Sequence, residues 1–120
     1  MVGMTIASVQ PRLRQAQQAS VDAYVRAIDL DPDSTEPRIA LADYAMSTTI
    51  LRLDRIREVL QPLLDRDPPN WDAVLMMAIA EASAGKEEAA LERVRRMRER
   101  RPNDLDLMQM EASLLADLDR

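Results

Sequence analysis

Cysteine and histidine are both missing from this 120-residue chain. Without thiols there is no disulfide and no thiolate chemistry, and the redox compartment stays open. Without imidazole the commonest general base and the commonest metal ligand are gone. Phenylalanine is absent too, and Tyr24, Tyr44 and Trp71 are the only aromatic residues. That is too few to stack the bases of a single-stranded nucleic acid. A formal net charge of −5 also weighs against a general attraction to phosphate backbones. No apolar run approaches the roughly 18–20 residues that span a bilayer, so no membrane insertion is expected. Residues 1–9 are mildly apolar but short, with no basic residues ahead of them. We read residues 1–10 as a flexible N-terminal segment and not as a signal peptide.

What remains is the balance of a soluble globular protein, with 47% apolar and 31% charged residues. A chain of this length makes one domain, and folding should bury roughly 65% of its unfolded surface. Three prolines that follow Asp or Arg punctuate it, at Pro32, Pro68 and Pro102, with spacings of 36 and 34 residues. A period near 34 signals stacked supersecondary units. Each proline follows a helical stretch and precedes a polar capping residue.

Between these stops the apolar spacing is helical. From Trp71, the residues Val74, Met77, Ala78, Glu81 and Ala82 recur at steps of three and four. Gly85 ends that helix, and Lys86-Glu87-Glu88 opens a second one carrying Ala90, Val94 and Met97 toward Pro102. Upstream, Ser34 caps a helix through Ile39, Leu41, Ala42, Ala45 and Met46. Asp54 caps its partner, with Ile56, Val59, Leu60, Leu63 and Leu64 inward. A long helix opens the chain from about Pro11 to Leu30, and another closes it from about Asp104 to Leu118. The sum is about six helices and no strand. Pro62 removes one backbone bond and predicts a local kink. The turn over 48–53 has no glycine, and its Thr48-Thr49-Ile50 run blurs the helix boundary.

The unit from Trp71 to Pro102 resembles a tetratricopeptide repeat. Its first-helix slots hold Val74, Met77, Ala78 and Glu81, its turn Gly85, and its second helix Ala90, Val94, Met97 and Pro102. The preceding unit fills the same slots with Arg38, Leu41, Ala42, Ala45, Ile56, Leu60, Leu63 and Pro68. The first unit keeps only its latter half (Ser20, Tyr24, Ala27, Pro32), and the last only its first half (Met108, Glu111, Ala112, Leu115). Small residues such as Ala42, Ala78 and Ala90 let antiparallel helices approach closely. Arg38, Glu81 and Glu111 depart from the pattern where it favours bulk, and Leu63 and Met97 where it favours alanine. The resemblance implies an all-α superhelix of antiparallel helical hairpins over 11–120. Its parts are a half repeat at 11–32, repeats at 34–68 and 70–102, and a terminal helix at 104–118. The alternative is a three- or four-helix bundle without superhelical stacking.

An enzyme is not expected. A serine or threonine nucleophile would need Lys86, which belongs to an exposed turn, and the carboxylates cluster at helix starts, where they stabilise free N–H groups. No cofactor is implied. The string from Asp29 through Asp31 and Asp33 alternates acidic oxygens as a calcium loop does. It lacks the turn glycine, however, and Ala40 stands where the closing glutamate belongs. A helix end followed by a capped helix start accounts for it. Residues 86–101 carry seven basic and four acidic side chains. That run reads as a solvated face laced with pairs such as Glu92–Arg96, or as a patch for an acidic protein. Trp71 is either a packing residue at a hairpin junction or an exposed anchor.

The resemblance places the first helix of each hairpin on a concave face. Carried over, the lining comprises Glu36, Ile39, Ala40, Asp43, Met46 and Ser47, then Asp72, Leu75, Met76, Ile79, Ala82 and Ser83. Asp106, Gln109, Met110 and Ser113 complete it. No Lys, Arg or Asn appears there, so the family's clamp on a peptide carboxylate is absent. The lining is apolar with acidic edges and suits an amphipathic helix with basic flanks. Alternatively these side chains pack against the chain's own first helix or a second copy. The leading expectation is a protein–protein interaction module, such as an adaptor, assembly factor or chaperone-like scaffold. Its rivals are a self-assembling homo-oligomer with an internally filled groove, and an accessory domain of a bacterial enzyme or secretion machine. A cytoplasmic setting is expected, or a periplasmic one for an excerpt of a longer protein.

Overall fold

The computed structural model describes the backbone of residues 2–49 and 51–119, and the side chains of those residues from 11 onward. Among them are six helices and no strand: α1 Val2–Leu30, α2 Thr35–Thr48, α3 Leu53–Leu64, α4 Trp71–Ser83, α5 Glu87–Arg100 and α6 Leu105–Leu118. The protein is all-α, as the periodicity predicts.

Local chemistry sets most of the boundaries. The Asn70 side chain accepts the Ala73 N–H at 3.0 Å and starts α4. Asp104 accepts from Asp106 and Leu107, at 3.0 and 3.2 Å, and starts α6. Gly85 ends α4 at φ +81°, a conformation that costs glycine nothing. Around it, the Lys86 N–H donates to the Glu81 carbonyl at 2.8 Å and the Gly85 N–H to that of Ala82 at 3.1 Å. These two bonds use up carbonyls that a helix end otherwise leaves unpaired.

Two helix starts differ from the sequence reading. The α1 backbone begins at Val2, ahead of Pro11, which lies inside the helix. Proline favours a first helical position, and that preference set the expected start. Its fixed φ is also helical, so the chain continues through it with one backbone bond missing. Arg52, not Asp54, is the N-cap of α3. Asp54 sits in the first turn, where its carboxylate accepts the Arg55 N–H at 2.9 Å. Ser34 does occupy the N-cap of α2, but its side chain makes no capping bond. The glycine-free turn begins with Thr49 in the left-handed region, at φ 54°. Ile50 lies outside the described residues. Helix α3 runs on through Pro62 to Leu64, and the Asp67–Pro68 peptide beyond it is cis.

The chain forms two compact units, Met1–Leu51 and Arg52–Arg120. The boundary falls inside the expected repeat over 34–68, so α2 and α3 belong to different units. In the first unit α1 packs on α2. Val21, Leu41, Ala42 and Ala45 are buried, and the Tyr24 and Tyr44 rings lie 5.9 Å apart.

In the second unit each helix packs on its neighbours in sequence, α3 on α4, α4 on α5 and α5 on α6. Val74 and Ala78 of α4, Ala90, Leu91, Val94 and Met97 of α5, and Leu107 and Leu114 of α6 form one buried cluster. Trp71, at the start of α4, stacks under the guanidinium of Arg101, just past the end of α5, at 5.6 Å. Glu81, near the end of α4, meets Arg93 in the first half of α5. The two helices are therefore antiparallel, and the small side chains Ala78 and Ala90 sit where they approach.

Candidate functional site

The second unit has two kinds of surface feature worth following: charged pairs sunk between helices, and apolar residues left facing solvent. Glu81 is the only buried charged residue described, at 3% exposure. Its Oε1 accepts from Arg93 Nε at 2.7 Å and its Oε2 from Arg93 Nη at 3.4 Å, a two-pronged grip from α5. Arg57 of α3 approaches Oε2 at 3.7 Å. One carboxylate thus links three helices. A buried carboxylate is tolerated only when paired and hydrogen-bonded, and the two arginines meet that condition.

Glu111 repeats the arrangement one helix pair later. Arg98 of α5 donates to its Oε1, and Arg95 lies 3.5 Å from its Oε2. The hydrogen bond from Arg98 holds the Glu111 carboxyl below the usual glutamate range, and the charges of Arg98 and Arg95 add to this against the opposing effect of burial. Glu81 and Glu111 are two of the residues that depart from the repeat pattern. Each is charged because the neighbouring helix supplies arginine. The third charged departure, Arg38, donates through Nε to the Pro32 carbonyl at 3.1 Å.

The basic run over 86–101 therefore has specific duties. Arg93, Arg95 and Arg98 reach inward to the two glutamates, and Arg96 pairs with Glu92 as its four-residue spacing predicts. Arg101 covers Trp71 and approaches Asp104 at 3.5 Å. Trp71 is half-buried against the core cluster, so it is a packing residue at the hairpin junction. An open cleft of about 720 Å³ runs past it, with Leu64, Val74 and Met97 among its apolar lining. Arg66, Arg93, Arg96 and Arg100 are matched there by Asp67, Glu81, Glu92 and Glu99, so the cleft favours no sign of charge.

The expected groove lining is divided between the two units. Ile39 and Met46 are half-buried and Asp43 exposed in the first unit. In the second, α4 presents Asp72 and Ile79 to solvent, with Leu75 and Met76 half-buried beside them. Helix α6 contributes exposed Gln109 and Ser113 and half-buried Met110. Leu75 and Met110 both rest against the same buried cluster, so the α4 and α6 portions share one foundation. None of these groove residues lines the Trp71 cleft. Ile79 is 41% exposed, a large share for a side chain of its kind.

A second apolar surface lies on α6, which the sequence reading took as a lone first-half helix without a mate to cover its apolar side. On α6, Leu105, Met108 and Leu115 are 72%, 36% and 41% exposed. Ala112 is exposed between them. The signal was present in the repeat slots at Met108, Ala112 and Leu115, which a following helix would normally cover.

Among the described residues no three acidic side chains converge to hold a metal ion, and no helix is long and apolar enough to cross a membrane. No protein-family model matches this chain, and no curated protein or solved structure matches it either.

Proposed function

We propose that this chain is a protein–protein interaction module of tetratricopeptide-like build, with no catalytic centre of its own. It takes an amphipathic helix of a partner against the outer faces of α4 and α6. The observation that carries this reading is the apolar patch around Ile79. Ile79 is exposed, Leu75 and Met76 are half-buried one turn before it on α4, Met110 of α6 rests on the same core cluster as Leu75, and Asp72, Gln109 and Ser113 are exposed on these two helices. Methionine and isoleucine at an adaptable apolar surface suit the apolar stripe of a helix, and the acidic edge suits basic residues flanking that stripe. Pairing with acidic rims would speed and orient docking more than it tightens it.

The test is affinity capture from the native host with the wild-type chain and a Met76→Glu, Ile79→Glu double variant. Both positions face outward enough that the helical content and melting point of the variant should match wild type. The expected result is a set of partners lost from the variant and retained by wild type. Identical partners in both captures would remove the groove from consideration.

A further inference from the structure

We propose that the open stripe of α6 is covered by α1 of a second copy, packed antiparallel, so that copies join head to tail. Leu105, Met108, Ala112 and Leu115 follow at steps of three and four on one helical stripe, and all four are exposed. Thirty-four residues earlier, Val74, Ala78 and Glu81 occupy the positions of Met108, Ala112 and Leu115, and all three are buried. Val74 and Ala78 share a buried cluster with α5, and Glu81 is gripped by Arg93 of that helix. The same face is sealed on α4 and open on α6.

Helix α1 carries a matching stripe. Leu13, Ala16, Ser20, Ala23, Ala27 and Leu30 follow at alternating steps of three and four, the spacing of a two-helix seam. Leu13 is 53% and Leu30 86% exposed, with Ala16 and Ala23 also open.

Size and charge both identify the occupant as this helix. With Leu13 level with Leu115 in antiparallel register, Ala16 meets Ala112, Ser20 meets Met108 and Ala23 meets Leu105. A small residue stands on at least one side in three of these four pairs, as close helix packing requires. The same register sets Arg12, at the edge of the α1 stripe, beside Asp119, in line with the α6 stripe, and both are exposed. Helix α6 contains no basic residue, so this end attracts strongly. At the other end Asp22 falls near Asp106, and the attraction is concentrated at the arginine end.

The contact joins two different surfaces, so each copy keeps one free donor stripe and one free acceptor stripe. Association then proceeds beyond a dimer unless a ring closes. A single two-helix seam lies at the small end of specific interfaces, so dissociation constants of roughly tens to hundreds of micromolar are expected. The surface differs from the Ile79 patch, and the inference does not rest on the proposed function.

Sedimentation equilibrium of the full chain up to about 1 mM tests it, with helical content checked for every variant. Wild type should give a mass that climbs through dimer and higher species. Leu115→Glu removes the acceptor stripe and Leu13→Glu the donor stripe, and each variant alone should be monomeric. Mixed together, they should form a dimer and go no further, because each supplies the one stripe the other lacks. Arg12→Glu should weaken association at low salt roughly threefold to fivefold. Adding Asp119→Arg should restore it. Met76→Glu with Ile79→Glu should leave it unchanged, which separates this contact from partner binding. A wild-type chain that stays monomeric throughout, or single-site variants that fail to pair when mixed, would overturn the proposal.

Discussion

Glu111 and Glu81 carry similar arginine pairs in different surroundings. Glu81 is almost fully buried, whereas the Glu111 side chain keeps 14% of its surface. The Glu111 carboxyl is held below the usual range chiefly by the Arg98 hydrogen bond. A lowered folded value means that the unfolded chain takes up the proton first as pH falls. The pair's contribution is therefore fully present above the unfolded value and lost as pH drops through the folded one. Glu111→Gln should lower the melting temperature near pH 7, and the gap from wild type should close progressively below about pH 4. Thermal melts at pH 7, 5, 4 and 3 measure this. A gap that is constant across the series would mean that the amide differs from the carboxylate only in packing.

At the scale of elements, the Gly85 turn is the boundary most completely explained. Its φ of +81° is unfavourable for any residue with a Cβ, yet a methyl group added there would meet nothing within 4 Å. The cost of Gly85→Ala is thus backbone strain alone, about 1 kcal/mol, and urea unfolding should show it as a shifted midpoint with unchanged slope. A much larger loss would mean that the turn also makes contacts through its neighbours.

This turn was legible because glycine and the capping bonds act within a few residues of sequence. The starts of α4 and α6 were legible for the same reason. The start of α3 was not, because Asp54 is an equally good residue for a cap and for a first turn. The inward grip on Glu81 was not legible either. Arg93 lies across a turn, and local periodicity cannot say which of seven basic side chains in that run will face a buried carboxylate. The slot pattern did flag Glu81 and Glu111 as misfits, which was the clue that a charged partner must exist. As for the candidate site, Leu75, Met76 and Met110 are half-buried, and their assignment to a groove came from the repeat resemblance, not from spacing. The α6 stripe was foreshadowed by the half-pattern of the last unit, and the coordinates supplied its degree of exposure.

At the scale of the whole molecule, the two units are unequal in the resources that hold them. The second contains four helices, a continuous cluster drawn from three of them, and two glutamate–arginine links between helices. The first contains two helices, and among its described residues the buried apolar side chains are one leucine, one valine and two alanines. At about 25 cal/mol per Å² of buried apolar surface, so few small side chains fall short of the entropy lost in ordering a two-helix segment. Short polypeptides of this kind rarely fold without disulfides, metals or a partner, and this chain has no cysteine. A fragment spanning 52–120 should therefore retain its helices and melt cooperatively, while one spanning 1–51 should lose helicity gradually on heating. Far-UV circular dichroism melts of the two fragments test the asymmetry. If 1–51 melts as sharply as 52–120, its stability lies in interactions other than the burial described, and the case for a dominant second unit fails. If the asymmetry holds, the stable unit is also the one that carries the Ile79 patch and the open stripe of α6. Binding surfaces would then rest on the part of the chain best able to keep them in shape. Helix α1, the weaker partner, would gain stability from any copy it docks onto, because a ligand that binds only the folded form shifts the equilibrium toward it.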